Sequence, residues 1–351
     1  MSHRNRQCAE STAYSLLIVL AGVFFLTLPG CADEDVVVYV ALDENFSRPL
    51  IEEFEKESGL KVRAKYDLEA NKTVGLYRSI VEEMDTGRPR CDVFWNNELM
   101  LTARLKKLGA LQPYTSPSAA DIPDEFKDPE GYWTGFAARA RIFIVNTDLL
   151  PDKTAWPTSY TDLVDPKWKA NCGLAKPLTG TTATHGTILF QLLGEEEAKA
   201  FFDSLLANDP RLLPGNAHLM RMVRKGEFAF GFTDTDDFNV ARVEKFPVEA
   251  IYPDQAEGQP GTIVIPNSVA MIKDCPHPEA AKKLIDYILS TEVEEKLAFA
   301  DSAQIPLRPA VKRPDYVKVP GKDFRAMVVD FEKAADEYEK WQEYFREIFL
   351  K

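Results

Sequence analysis

Of 351 residues only four are histidine and five cysteine, and their spacing excludes more than their number does. No CxxC or His-paired spacing occurs, which argues against a structural zinc site. His3, His185, His218 and His277 stand apart from any nucleophile pattern, and GxSxG, HExxH and P-loop motifs are missing, so no hydrolase or nucleotide-binding signature is present. Basic charge is scarce as well: 42 Lys and Arg stand against 55 Asp and Glu, a formal net charge of −13. Nucleic-acid binding is driven by clustered cations that displace counterions. With no basic stripe, nucleic acid is not an expected partner. Internal repeats and low-complexity tracts are also lacking.

What is present begins with an export signal. Arg4 and Arg6 precede an apolar run over residues 13–29 that stops at Cys31, the order of a charged n-region and an h-region. The run is short for a bilayer core of about 30 Å, although a retained anchor stays open. Leu28, Pro29, Gly30 and Cys31 resemble the bacterial lipobox, apart from Pro29, which replaces the usual small residue. The expectation is a signal peptide over 1–30, lipidation at Cys31, and a periplasmic or extracytoplasmic protein anchored to the membrane by lipid. Cys91, Cys172 and Cys275 are scattered singly and read as small buried hydrophobes, with one bridged pair left open.

The remaining length suits two cored domains, because single cores stop growing near about 250 residues. From Val36 strand-like and helix-like segments alternate, as in a mainly parallel sheet with helices on both faces. WTGFAARARIFIVNT reads as one long strand, with Phe136, Ala138, Ala140, Ile142 and Ile144 on one side and Arg139 and Arg141 on the other. Following an irregular Pro-rich stretch, it is a candidate crossing between lobes. We expect one lobe from 36–132 plus 254–310, a second from 133–253, and a C-terminal helical segment, 311–351, packed on them. PHPEAAKKLIDYILSTEVEEKLA reads as helical, and an apolar stripe from Phe324 to Ile348 reads as helical over Asp323 to Lys351.

Five stretches in order resemble the ABC-importer solute-binding proteins of the ferric-ion-binding type: VYVALDENFSRPLIEEFEKESGLKV, CDVFWNNE, GFAARARIFIVNT, GEFAFGFTDTDD, and PHPEAAKKLIDYILSTEVEEKLA with QIPLRP. They cover about Val36 to Pro309. The resemblance implies an α/β type II periplasmic-binding-protein fold, two α/β lobes joined by two crossing strands with a solute cleft between them. It also implies a monomer that hands its solute to an ABC permease in the inner membrane. The family's default solute is Fe(III) with a phosphate or carbonate anion, carried as cargo and not as a catalytic cofactor.

Ligands of open α/β sheets sit beyond the carboxyl ends of the strands, which marks four stretches: Asp43 after the first strand; Trp95, Asn96, Asn97 and Glu98 after CDVFW; Thr179, Gly180, Thr181 and Thr182; and Asp234, Thr235, Asp236 and Asp237. The Thr/Gly turn opens a helix whose free N–H groups suit an anion, or it is ordinary N-capping. Arg139 resembles the family's anion-pairing arginine. Typical ferric-binding members carry neighbouring tyrosines about where Asp236 and Asp237 stand, and no tyrosine falls between Tyr160 and Tyr252. Asp43, Glu98 and Asp236 offer hard oxygen ligands for a metal. The same carboxylates, with Trp95 as a cation–π face, also suit an organic cation or zwitterion such as a polyamine or an aminophosphonate. His185 and Asn267 are weaker cleft candidates. An exported enzyme on the same fold is the alternative of a different class.

Overall fold

Val36–Val40 (β1) is a run of β-branched and aromatic residues, four of them buried, as a parallel strand covered on both faces requires. In the computed structural model, which describes residues 36–67 and 73–350, β1 pairs in parallel with β2 (Val62–Tyr66) and β3 (Val93–Asn96). The intervening helices α1 (Glu44–Ser58) and α2 (Val74–Asp85) lie between them in sequence, and α3 (Met100–Lys107) follows β3. Gly59, at φ 72°, closes α1 in the left-handed conformation that glycine adopts without steric cost. The expected signal segment and the lipidation at Cys31 lie outside the described residues.

After β4 (Leu111–Gln112), strand β5 (Thr134–Asn146) is buried along all 13 residues. Through Thr134–Ala140 it pairs with β10 (Val264–Ile272), and from Arg141 onward it pairs with β8 (Phe230–Asp234) and β9 (Val248–Ile251). One strand therefore belongs to both halves of a sheet ordered β2-β1-β3-β10-β5-β8-β6-β7, where β6 is Cys172–Ala175 and β7 is Arg211–Leu213. The chain returns to the first half between β9 and β10. Near the crossover the register of β10 shifts between Pro266 and Asn267, a local irregularity that bends a strand. Ala137 there has φ 37°, and Asn267 donates to its carbonyl and to Gln304 Oε1, 2.7 Å away.

The second half is built on β6, α4 (Gly180–Leu193), α5 (Glu195–Ala207), β7, α6 (Asn216–Arg224), β8 and α7 (Thr235–Val243). Alternation along β5 feeds two cores here: Ala138, Ala140, Ile142 and Ile144 face one, Phe143 and Val145 the other.

One helical expectation is refined and one is corrected. The segment 276–299 is two helices, α8 (Pro278–Ile288) and α9 (Thr291–Phe299), because Ser290 adopts an extended conformation and its hydroxyl caps Val293 N at 3.2 Å. The last helix, α10, spans Phe331–Phe349, with Asp330 accepting from Lys333 N. Residues 323–330 lie outside it, and Val328 is 99% exposed. Along α10, Ala334, Ala335 and Tyr338 join the core of the first half, while Trp341, Phe345 and Phe349 join a core of the second. The helix thus spans both halves, and Gly186 on α4 leaves the space that Phe345 fills: an added Cβ would sit 2.7 Å from that ring.

Cys91, Cys172 and Cys275 are free and buried, so the open bridged pair does not form among the described residues. No helix of the described residues is long and apolar enough to cross a membrane.

Candidate ligand-binding site

Four helix N-termini open onto one recess. Asp43 is the N-cap of α1, Thr179 of α4, Gly215 of α6 and Asp234 of α7. Each helix follows a strand, so the strand ends deliver the turns to one place. The first-turn N–H groups of a helix have no intrahelical acceptor and carry its positive dipole end, which makes the α4 and α6 turns an anion-favouring wall. Asp43, Asn97, Arg139, Thr179, Gly180, Thr181, Thr182, Asp234, Asp236 and Asp237 all line the recess, together with Ala175, Gly215, Asn216 and Ala217.

Behind that wall lies a buried hydrogen-bond network centred on Arg141 and Asp234. Arg141 Nη1 donates to Asp234 Oδ1 at 2.8 Å and to Thr181 Oγ1 at 3.4 Å, and Nη2 donates to Thr182 Oγ1 at 3.2 Å. Thr181 Oγ1 donates to Asp234 Oδ2 at 2.5 Å, and Asn216 Nδ2 donates to the same oxygen at 2.9 Å. Thr182 Oγ1 donates to Asn216 Oδ1 at 3.0 Å. The Arg141 guanidinium also lies 4.8 Å from the centre of the Phe232 ring, and His185 packs edge-on to the same ring. Burial, with Arg141 as a second cause, holds the His185 imidazole well below its ordinary pKa, so it is neutral and belongs to the interior of the second half.

Arg139 is the other buried guanidinium. Its Nε lies 3.1 Å from Asp236 Oδ2, its Nη2 donates to Asn267 Oδ1 at 2.6 Å, and Nη1 donates to the carbonyl of Asn97. Asp237 Oδ2 accepts from Thr233 Oγ1 at 2.8 Å. Of the two arginines only Arg139 lines the recess, against four carboxylates, Asp43, Asp234, Asp236 and Asp237, so the recess is acidic although its helix termini favour anions.

Six candidates do not line the recess: His185 and Asn267, the weaker two, and Trp95, Asn96, Glu98 and Thr235. Trp95 is fully buried against Phe136, so its ring is not offered to a cation in the recess. Asn96 is buried, its amide nitrogen donating to Glu98 and Thr102. Thr235 Oγ1 accepts from Ala140 N at 3.1 Å. Glu98 is buried, with Oε1 accepting from Asn96 and Leu101 N and Oε2 from Thr184 Oγ1 on α4. Its carboxylate joins the loop after β3 to the second half. The set Asp43, Glu98 and Asp236 is accordingly not what the fold gathers for a metal. The carboxylate atoms that lie within 4.8 Å of one another are those of Asp234, Asp236 and Asp237. Asn267 is spent on Arg139 and backbone carbonyls.

Sequence reasoning passed over Ala175, Gly215, Asn216 and Ala217, and gave Arg141 no role. Gly215 and Asn216 carried a signal: a short strand, a break and a helix start, the same arrangement as the Thr/Gly turn. The partners of Arg141 lie 40, 41 and 93 positions away, and no local pattern announces them.

A family model described as bacterial extracellular solute-binding protein matches residues 91–327. The Fe(3+)-binding periplasmic protein of Serratia marcescens is 26% identical over 200 residues, 57% of this chain and 56% of that one. A Salmonella typhimurium protein named "putative 2-aminoethylphosphonate-binding periplasmic protein" is 27% identical over 293 residues, 80% of this chain and 82% of its own. Among solved structures, iron-bound HitA from Pseudomonas aeruginosa superposes with a TM-score of 0.79 at 22% identity, covering 89% of this chain and 99% of that one. Such neighbours have the type II periplasmic-binding fold with two lobes. The relatives thus include proteins named as periplasmic iron-binding and as putative 2-aminoethylphosphonate-binding proteins. With more than half of its length matched, this chain belongs to the family of bacterial extracellular solute-binding proteins.

Proposed function

We propose that this chain captures a small organic zwitterion, with an anionic phosphonate- or carboxylate-type group and an ammonium, and delivers it outside the cytoplasm to an ABC permease. The observation that carries this reading is the pairing of unlike walls in one recess. The N-termini of α4 and α6 favour the anionic end, and Asp43, Asp236 and Asp237 favour a cation. Four aspartates and one arginine, Arg139, line the recess, so a purely anionic solute would meet a net negative lining. A solute touching both lobes favours the closed arrangement, which the permease reads. Lipidation at Cys31 would keep the protein at the membrane surface as a monomer.

Fe(III) with an anion is the second reading. It is favoured by the grouping of Asp234, Asp236 and Asp237 within 4.8 Å and by the iron-binding relatives. Weighing against it, no tyrosine among the described residues lines the recess, and Asp234 already accepts from Arg141, Thr181 and Asn216.

Native mass spectrometry of protein purified without refolding tests both. A retained organic mass, displaced by added 2-aminoethylphosphonate, supports the first reading. One equivalent of iron, with no stabilisation by any aminophosphonate, overturns it in favour of the second.

A further inference from the structure

Resting on the reading that the α4 and α6 turns take the solute's anionic end, we propose that Asp234 is a positioning residue which does not meet the solute. It lines the recess, but both of its oxygens point into the network behind the wall. Oδ1 takes Arg141 Nη1 at 2.8 Å, and Oδ2 takes Thr181 Oγ1 at 2.5 Å and Asn216 Nδ2 at 2.9 Å. Asp234 is 3% exposed and Arg141 is fully buried.

The three partners come from three different elements. Thr181 is the second residue of α4, Asn216 the first of α6, and Arg141 sits on the crossing strand β5, while Asp234 itself ends β8 and is the N-cap of α7. One carboxylate thus fastens two helix N-termini to the strand that joins the lobes, beside the start of a third helix. Every hydroxyl and amide in the network has a consistent role. Thr181 donates to Asp234 and accepts from Asn216 and Arg141; Thr182 donates to Asn216 and accepts from Arg141. The threonine side chains are therefore turned inward, and what α4 and α6 present to the recess is backbone N–H in a geometry set before solute arrives. Pre-set donors bind without an ordering cost. Asp236 and Asp237 remain the carboxylates on this wall placed to meet a cationic group.

The test uses two near-isosteric variants, Asp234→Asn and Thr181→Val, with inorganic phosphate and 2-aminoethylphosphonate as calorimetric probes. If Asp234 acts through the helix turns, both variants lose at least tenfold in affinity for the two probes. The double variant then loses no more than Asp234→Asn alone, because one network is broken once. If Asp234 touches the solute itself, only Asp234→Asn loses affinity and Thr181→Val binds as the parent does, which overturns the proposal. Hydrogen exchange of the ligand-free proteins supplies a second readout. Peptides covering both 179–186 and 214–220 should exchange severalfold faster in Thr181→Val, with peptides of α1 unchanged. Faster exchange confined to α4 would also overturn it. Should Asp234→Asn fail to fold, Thr181→Val keeps the Arg141–Asp234 pair and still decides the matter. If the parent binds neither probe, the functional reading falls, while exchange still reports on the network.

Discussion

Arg139 Nε lies 3.1 Å from Asp236 Oδ2, and the two side chains are unequally placed, 2% exposed for the arginine and 15% for the aspartate. The buried partner is the cation, so the pair presents its carboxylate to the recess. Asp236 compensates a guanidinium inside the crossing strand and, on the function proposed above, would also offer negative charge to a solute.

Asp236→Ala should therefore change both properties. Removing one partner of a buried pair costs about 3 kcal/mol, softened here because Arg139 keeps Asn97 O and Asn267 Oδ1. Chemical denaturation of the solute-free protein should show a lowered midpoint with an unchanged slope, and 2-aminoethylphosphonate should no longer raise the melting temperature. An unaltered midpoint would mean that Arg139 does not depend on Asp236.

Glu98 gives a pH signature. Its carboxyl is pushed above the ordinary value of 4.5 because burial penalises the charge, against opposing bonds from Leu101 N, Asn96 and Thr184. The folded state therefore binds this proton more tightly than the unfolded chain. The contribution is fully present below the unfolded pKa and is lost as pH rises through the raised folded value. Glutamine cannot titrate, so the stability advantage of Glu98→Gln over the parent should grow between about pH 4 and pH 7. A gap that narrows over that range would contradict the assignment.

The cysteines should be silent. Burial pushes the Cys172 and Cys275 thiols up to about 12 and raises Cys91 well above its ordinary value. The thiolate is the reactive form, so a thiol reagent at neutral pH should modify none of the three before unfolding. The melting temperature should be the same with and without reductant.

Trp341 on α10 stacks on Phe190 of α4 with ring centroids 3.6 Å apart and planes 10° apart. Trp341→Ala should cost about 3–5 kcal/mol, whereas Val328→Ala, at a position 99% exposed, should stay within about 0.5 kcal/mol of the parent. Because α10 also enters the core of the other lobe through Ala334, Ala335 and Tyr338, loss of Trp341 should loosen its hold on the second lobe. Small-angle scattering of that variant without solute should show a larger radius than the parent.

Periodicity made the layered α/β build legible. Runs such as VVVYV are buried strands wherever they fall, and stripes such as Leu50, Ile51 and Phe54 dictate which face of a helix turns inward. The long strand with two arginines was visible for the same local reason. The failures were local as well: an apolar stripe over 323–330 is compatible with a helix, yet Asp330 caps the helix only at its end, and Ser290 divides a stretch that composition alone keeps whole.

Chain chemistry by itself settled the alternation of strands and helices, the acidic character, and the four strand-end turns that had to be considered for a site. It did not settle the use of each charge, since FTDTDD supplies carboxylates of equal chemistry. Tertiary packing separates them, turning Asp234 inward to Arg141, Thr181 and Asn216, setting Asp236 beside Arg139, and withdrawing Glu98 and Trp95 from the recess into the interior. The physical reason is that a carboxylate's role depends on which donors and how much water surround it, and those donors arrive from strands and helices distant in sequence, 93 positions away for Arg141 and Asp234.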